Sequence, residues 1–414
     1  METKNIEVKN EKSESNKIEN KKQKHLFLAC LLFNLGILAV IKYTNFTISN
    51  INSLLHTFGS TTELSFVNII IPMGISFYTF MAMGYLIDVK RGTVKAETNF
   101  FKFALFISFF PQLVQGPISR FSDLSKTLFE PHKANYEVIT RGLQRILWGY
   151  FKKLVVADRI VVGVNTIIHD PDTYHGGFVF VGMMFYAFEL YCDFTGGIDI
   201  TIGIAEAMGI SVTENFIRPY FSKNIKEYWN RWHITMGSWF TDYIFYPLSI
   251  SQPMLKLSKF SRAHLGKQIG KRVPVYLASF IVWFTTGIWH GASWTFVAWG
   301  FFHGAGLCVH KLYMKLRGRD KNFKGNPVSN AISTVFTFLY VCFGWIFFRA
   351  DTFGTAWSVI KAIFTMQKGV EHPFFWASAG IGFVIAEAVI GAVKSKKKEL
   401  TKIEASYPSL PLDK

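Results

Sequence analysis

Two apolar runs lie back to back in the second half of this chain, Val273–His290 (VPVYLASFIVWFTTGIWH) and Ala292–His310, separated by one glycine. A helix that crosses a bilayer needs about 20 predominantly apolar residues, because only an internally hydrogen-bonded backbone survives where water is absent. By that ruler the chain offers roughly eight to ten segments. Clear candidates are Leu26–Tyr43, Phe66–Ile87, Phe178–Phe194, Val273–His290, Ala292–His310, Val328–Phe348 and Phe374–Val393. Phe100–Val114, Gly142–Val162, Ile198–Ile210 and Trp232–Ile250 are short or interrupted by Pro, Gly or charge. Those four suit re-entrant or interfacial helices packed inside protein. The expected fold is therefore all-α, a polytopic membrane bundle.

Composition agrees. Half of the 414 residues are hydrophobic, 17% are aromatic and 18% are charged, too apolar a balance for a soluble chain of this length. A formal net charge of +17 would suit nucleic acid, but the lysines and arginines gather in the tails and in short loops between apolar runs, with no basic, aromatic-interleaved face. No nucleic-acid partner is expected; the surrounding partner is membrane lipid. Lys21, Lys22 and Lys24 precede the first span, Lys90 and Arg91 follow the second, and Lys256 to Arg272 precede the span ending in His290. Further basic groups are Arg218, Lys223, Lys226 and Arg231, then Lys311, Lys315, Arg317 and Arg319, then Lys394 to Lys398. The positive-inside rule places these groups, and so both termini, in the cytoplasm of a multi-pass cell-membrane protein.

Three divisions are expected: a disordered tail over 1–24, a membrane domain over 25–394, and a basic tail over 395–414. The first is rich in Lys, Glu, Asn and Ser and has too little apolar surface to fold alone. It lacks the small-residue cleavage site of a signal peptide. Cys30, Cys192, Cys308 and Cys342 are scattered in apolar segments without CxxC spacing, so they read as small hydrophobes, and no metal site is expected.

An ionisable group inside a membrane segment is costly and marks function by default. His290 lies at the turn between an outgoing and a returning run, away from the basic loops. His233 belongs to a dense cluster, Asn224–Pro247, that also carries Arg231, Asp242, Tyr243 and three tryptophans. An interfacial aromatic belt explains those tryptophans better than it explains the histidine. His303 and His310, seven apart and so on one helical face, take a structural reading. Imidazole near pKa 6.5 is suited to removing a proton from a hydroxyl at neutral pH. No GxSxG, HExxH, P-loop or GxGxxG occurs, which leaves hydrolase-elbow, zinc-protease and nucleotide chemistry unsupported.

These residues carry a family resemblance. Trp229-Asn230-Arg231-Trp232-His233-Ile234-Thr235, then Asp242-Tyr243 and Tyr246-Pro247, resembles the signature of the membrane-bound O-acyltransferases, as does Gly287-Ile288-Trp289-His290-Gly291-Ala292-Ser293-Trp294. Pro72–Gly92, Phe109–Arg120, Tyr191–Tyr220 and Phe343–Ala350 are similar to blocks of the bacterial branch typified by alginate O-acetyltransferase. Members of that branch usually carry further hydrophobic helices before the segment matched by Leu26–Tyr43.

The resemblance implies transfer of an acyl group to a hydroxyl, with His290 as general base and His233 as the second essential polar residue. Asp193 and Asn215 either orient substrate or hold the fold; Gln115, Trp289 and Trp294 either line the substrate channel or pack. Arg231 and Tyr243 complete the substrate-binding candidates. No tightly bound cofactor is implied; the donor is acetyl-coenzyme A or another acyl thioester. The acceptor is a glycan or a teichoic acid, and an extracytoplasmic partner protein is expected to complete the transfer. D-alanyl transfer to teichoic acid is the alternative within the family, and a histidine-relay transporter the alternative outside it.

Overall fold

The computed structural model describes residues 2–170, 173–318 and 325–365. The expected seventh clear span, Phe374–Val393, and the basic tail, 395–414, lie outside them. Among the described residues every regular element is helical. Helix α1 spans Glu2–Thr57, so nearly all of the segment expected as a disordered tail is drawn as a continuation of the first span; Glu and Lys are good helix formers, and an existing helix extends at little cost. Helices α2 (Ile75–Arg91), α3 (Phe100–Ile107), α4 (Phe121–Leu128), α5 (Tyr136–Tyr150), α6 (Asp158–His169) and α7 (Gly177–Ala207) follow. Then come α8 (Ile225–Arg231), α9 (Ile234–Phe240), α10 (Tyr246–Ser249), α11 (Gln252–Gly270), α12 (Val273–His290), α13 (Trp294–Leu316), α14 (Pro327–Arg349) and α15 (Phe353–Phe364).

By length and composition, four stretches among the described residues can cross a membrane: Lys21–Thr57 of α1, and helices α7, α12 and α14. The structure redraws several expected spans. Phe66–Ile87 is not one helix: 60–72 is irregular and α2 starts only at Ile75. Pro72 lacks a backbone N–H, and Gly74 takes φ 77° at the helix entrance, a left-handed conformation favoured by glycine. Phe178–Phe194 and Ile198–Ile210, expected as separate pieces, merge instead into the 31-residue α7. Gly196 and Gly197 do not break it, because packing uses both, Gly196 against α5 and Gly197 against the Gln115 side chain. A Cβ at Gly196 would lie 2.9 Å from the Gly149 carbonyl oxygen of α5, and one at Gly149 would lie 2.6 Å from the Gly196 oxygen. Gly142 and Gly203 repeat the arrangement two turns away, so small residues bring α5 and α7 into backbone contact. The Trp232–Ile250 segment is interrupted as expected: α9 passes through a π-helical turn, Thr241–Phe245, into the four-residue α10.

Charges cross the α5–α7 seam. Arg145 donates to Asp199 at 2.9 Å and to Glu214 at 2.6 Å. The buried Lys152 ammonium sits 2.7 Å from Asp199 and donates to Thr195 Oγ1 at the same distance. Two hydrophobic cores flank the middle of the molecule. One gathers α2, α3, α4 and α9; the other gathers α6, α8, α14 and α15, and α7 contributes to both. Phe194, Phe216 and Trp229 pack against both cores. That seam is where the histidines lie.

Candidate active site

His233 sits between α8 and α9 with φ 48°. Among the described residues it and Arg218 alone combine positive φ with a side chain, a conformation costing about 1–3 kcal/mol that neighbours must enforce. Asn215 is that neighbour. Fully buried, its Oδ1 accepts from the Thr235 backbone N–H at 3.0 Å and from the Thr235 hydroxyl at 2.9 Å, while its own carbonyl accepts from Ile234 N–H at 3.0 Å. Its side chain also meets His233 Nδ1, with Nδ2 at 3.2 Å and Oδ1 at 3.3 Å, so either ring tautomer finds a partner. Thr235 Oγ1 in turn accepts from Ile118 N–H at 3.0 Å, which ties the Phe109–Arg120 block to the same loop.

His290 is the last residue of α12, and the chain turns at Gly291 into α13. A Cβ at Gly291 would fall 2.1 Å from the Phe296 ring, and one at Gly287 2.5 Å from the Phe296 carbonyl oxygen, so the tight turn requires glycines there. The hairpin places the His290 ring 6.5 Å from that of His233, centroid to centroid. Trp289 and Trp299 each stand 4.9 Å from His290, and Phe348 stands 5.3 Å away. His290 Nε2 is buried and has no hydrogen-bond partner among the described residues. Buried polar atoms are normally satisfied, so a nitrogen left open is an atom available to a reactant.

Both histidines face a cavity of about 240 Å³, lined also by Lys42, Ser76, Phe77, Leu190, Phe194, Trp232, Trp289, Trp345 and Phe348. Of the other expected site residues, Trp289 lines this cavity and Asn215 fixes its wall. The rest stand elsewhere. Asp193 pairs with Lys153 at 2.5 Å on the α7 seam. Arg231 pairs with Glu227 one turn back along α8, also at 2.5 Å. Gln115 packs its amide against Gly197 of α7. Trp294 is 50% exposed and donates its indole N–H to Asn50 of α1. Each was drawn to the site by lying in a motif; tertiary packing turns each side chain to another partner.

Tyr243 lies beside a second, larger cavity of about 540 Å³ without lining it. Asp88, Arg91, Arg120, Asp242 and Tyr246 line that space. The Tyr243 hydroxyl donates to Asp88 at 2.6 Å, and Arg91 and Arg120 cover its ring. Burial and the Asp88 hydrogen bond push the phenol pKa up, which keeps it a neutral donor. Arg120 pairs with Asp242. Burial alone would lower its pKa, but the Asp242 hydrogen bond and nearby Tyr243, Asp242 and Asp88 more than offset that and hold it above its ordinary value.

His303, given a structural reading from sequence, is completely buried among Trp229, Trp283, Trp299 and Trp345, and neither ring nitrogen has a hydrogen-bond partner among the described residues. Sequence reasoning missed Lys42 altogether. A charge inside the apolar run Leu26–Tyr43 was the available signal. Trp345 and Phe348 lay unremarked within the Phe343–Ala350 block.

Two histidines, one between α8 and α9 and one at the end of α12, thus meet at an aromatic cavity of the helical bundle. The chain belongs to the membrane-bound O-acyltransferase family, whose family model matches residues 94–350. It is 33% identical over 346 residues to a Pseudomonas aeruginosa protein named "Probable alginate O-acetylase AlgI", covering 83% of this chain and 61% of that one. It is 30% identical to the peptidoglycan O-acetyltransferase of Helicobacter pylori, over 80% of this chain and 63% of that protein. A teichoic acid D-alanyltransferase of Bacillus subtilis is 28% identical, over 69% of this chain and 70% of that protein. The chain thus spans about six-tenths of the length of its O-acetylating relatives.

Proposed function

We propose that this chain transfers an acetyl group from a thioester to hydroxyls of a cell-surface or exported polysaccharide. The observation that carries the reading is the buried Nε2 of His290, which has no hydrogen-bond partner among the described residues and belongs to a ring 6.5 Å from that of His233 at a shared cavity. His290 takes the proton of the acceptor hydroxyl, and the oxygen so released attacks the acyl carbonyl carbon. As the tetrahedral species collapses, the carbon–sulfur bond breaks and the leaving thiolate receives the proton from His290. His233, held by Asn215, orients the acceptor beside the base. Tryptophan and phenylalanine walls keep water from competing for the acyl group.

The donor proposed is acetyl-coenzyme A or another acyl thioester. The cavity lined by Arg91 and Arg120 borders the basic residues that the positive-inside rule puts in the cytoplasm, and guanidinium groups suit a phosphate-bearing carrier. An extracytoplasmic protein relaying the acyl group to its polymer remains part of the proposal. Identity to O-acetylating relatives over most of this chain favours acetyl over D-alanyl transfer, for which the likeness is weaker. The discriminating test is chemical. Mild alkali is applied to envelope polymers from a strain lacking the chain and from its complemented parent, and the released acids are identified. Loss of acetate in the deleted strain supports the reading, loss of D-alanine selects the alternative, and unchanged release of both contradicts acyl transfer.

A further inference from the structure

Lys42 lies within the stretch of α1 that is long and apolar enough to cross a membrane, yet its side chain lines the cavity shared by His233 and His290. Its ammonium donates to the backbone carbonyl of Trp289 and stands 5.8 Å from the centre of the Trp289 ring. Among the described residues no carboxylate forms an ion pair with it. A lysine in a membrane helix that is compensated only by a neutral carbonyl and an aromatic face is expensive to keep. The carbonyl takes one of its three donor hydrogens, which leaves the others for the cavity.

A bland alternative exists and can be separated. The last carbonyls of α12 have no intrahelical partners, and α1 satisfies two of them: Lys42 meets Trp289, and the Tyr43 hydroxyl donates to the Ile288 carbonyl at 2.8 Å. Were Lys42 only a helix cap, any donor at that position would serve, and Tyr43 would matter equally.

We propose that Lys42 supplies the positive charge that stabilises the oxyanion formed when the acceptor oxygen adds to the thioester carbonyl at His290. The inference rests on the acyl-transfer reading above. In the step concerned, the acceptor oxygen bonds to the acyl carbon, the carbonyl electron pair moves onto its oxygen, and the Lys42 ammonium faces that oxygen. When the pair returns, the thiolate departs and takes the proton held by His290. Charge and donor hydrogens that already point into a low-dielectric space need no reorganisation as the oxyanion forms.

The test uses the full chain in inverted membrane vesicles from a strain lacking its own copy, with radiolabelled acetyl-coenzyme A as donor and the strain's envelope polymers as acceptor. Rates of alkali-labile incorporation are taken per chain in the membrane. Lys42→Gln keeps an N–H donor for the Trp289 carbonyl but removes the charge; Lys42→Arg keeps the charge; Tyr43→Phe removes only the neighbouring cap. Loss of an oxyanion donor predicts a fall in kcat of roughly 10²–10³-fold for Lys42→Gln, with KM for acetyl-coenzyme A within about twofold. Lys42→Arg recovers part of that rate, and Tyr43→Phe turns over normally. Wild-type kcat in Lys42→Gln overturns the proposal, as does a change in KM alone or an equal loss in Tyr43→Phe. Incorporation that survives intact in His290→Ala removes the acyl-transfer reading itself, and this proposal with it.

Discussion

Asn215 is the residue on which the geometry of the site turns. It satisfies the backbone and side chain of Thr235, holds His233 Nδ1, and does so with no exposure. Replacing it by leucine strands the Thr235 donors in an apolar interior, at about 1–3 kcal/mol for each buried unsatisfied group. The strained φ of His233 then loses its restraint. Asn215→Leu is expected to lower the melting temperature of the purified chain and to reduce acyl incorporation more than tenfold, about the 1.4 kcal/mol that a factor of ten represents. Unchanged melting and unchanged incorporation would show that Asn215 is not what holds His233. Both histidines were legible in the sequence because ionisable groups stand out against apolar runs. Asn215 was legible only as a choice between orienting substrate and holding the fold. That choice depends on which atoms its amide meets, and side-chain direction is set by packing from distant segments.

At the scale of elements, the α5–α7 pair frames one side of the site, since Leu190 and Phe194 of α7 line the histidine cavity. Glycines let the two backbones touch, and the Lys152–Asp199 pair locks their register. Removing one member of a buried ion pair costs about 3–5 kcal/mol, because the other charge is left uncompensated. Asp199→Leu therefore should destabilise the chain by that order, whereas Asp199→Leu combined with Lys152→Met should recover most of the loss; thermal unfolding in detergent measures both. A double variant no more stable than the single one would mean that the pair does not set the register. Helix existence was legible here and helix continuity was not. Glycines at 196 and 197 looked like an interruption, and the signal that they serve close packing lies in Gly149 and Gln115, which only the folded chain brings alongside. The reverse error occurred at Phe66–Ile87, where an apolar run conceals the Pro72 and Gly74 boundary that delays α2.

For the whole molecule, hydropathy named a helical membrane bundle, and the described residues are helical throughout their regular structure. We propose further that Lys90 and Arg91, at the end of α2, and Lys259, in α11, face the cytoplasm. With the native cysteines replaced, a cysteine introduced at Lys259 should react with a membrane-impermeant maleimide in inverted vesicles and remain unmodified in intact cells; modification in intact cells would reverse the orientation. The central claim is that His290 is the base on which acyl transfer depends, and envelope ester content tests it most directly. In a strain lacking the chain, His290→Ala present in the membrane at wild-type abundance should release no more acetate under mild alkali than the uncomplemented strain. Restoration of the full wild-type acetate by that variant would contradict the account.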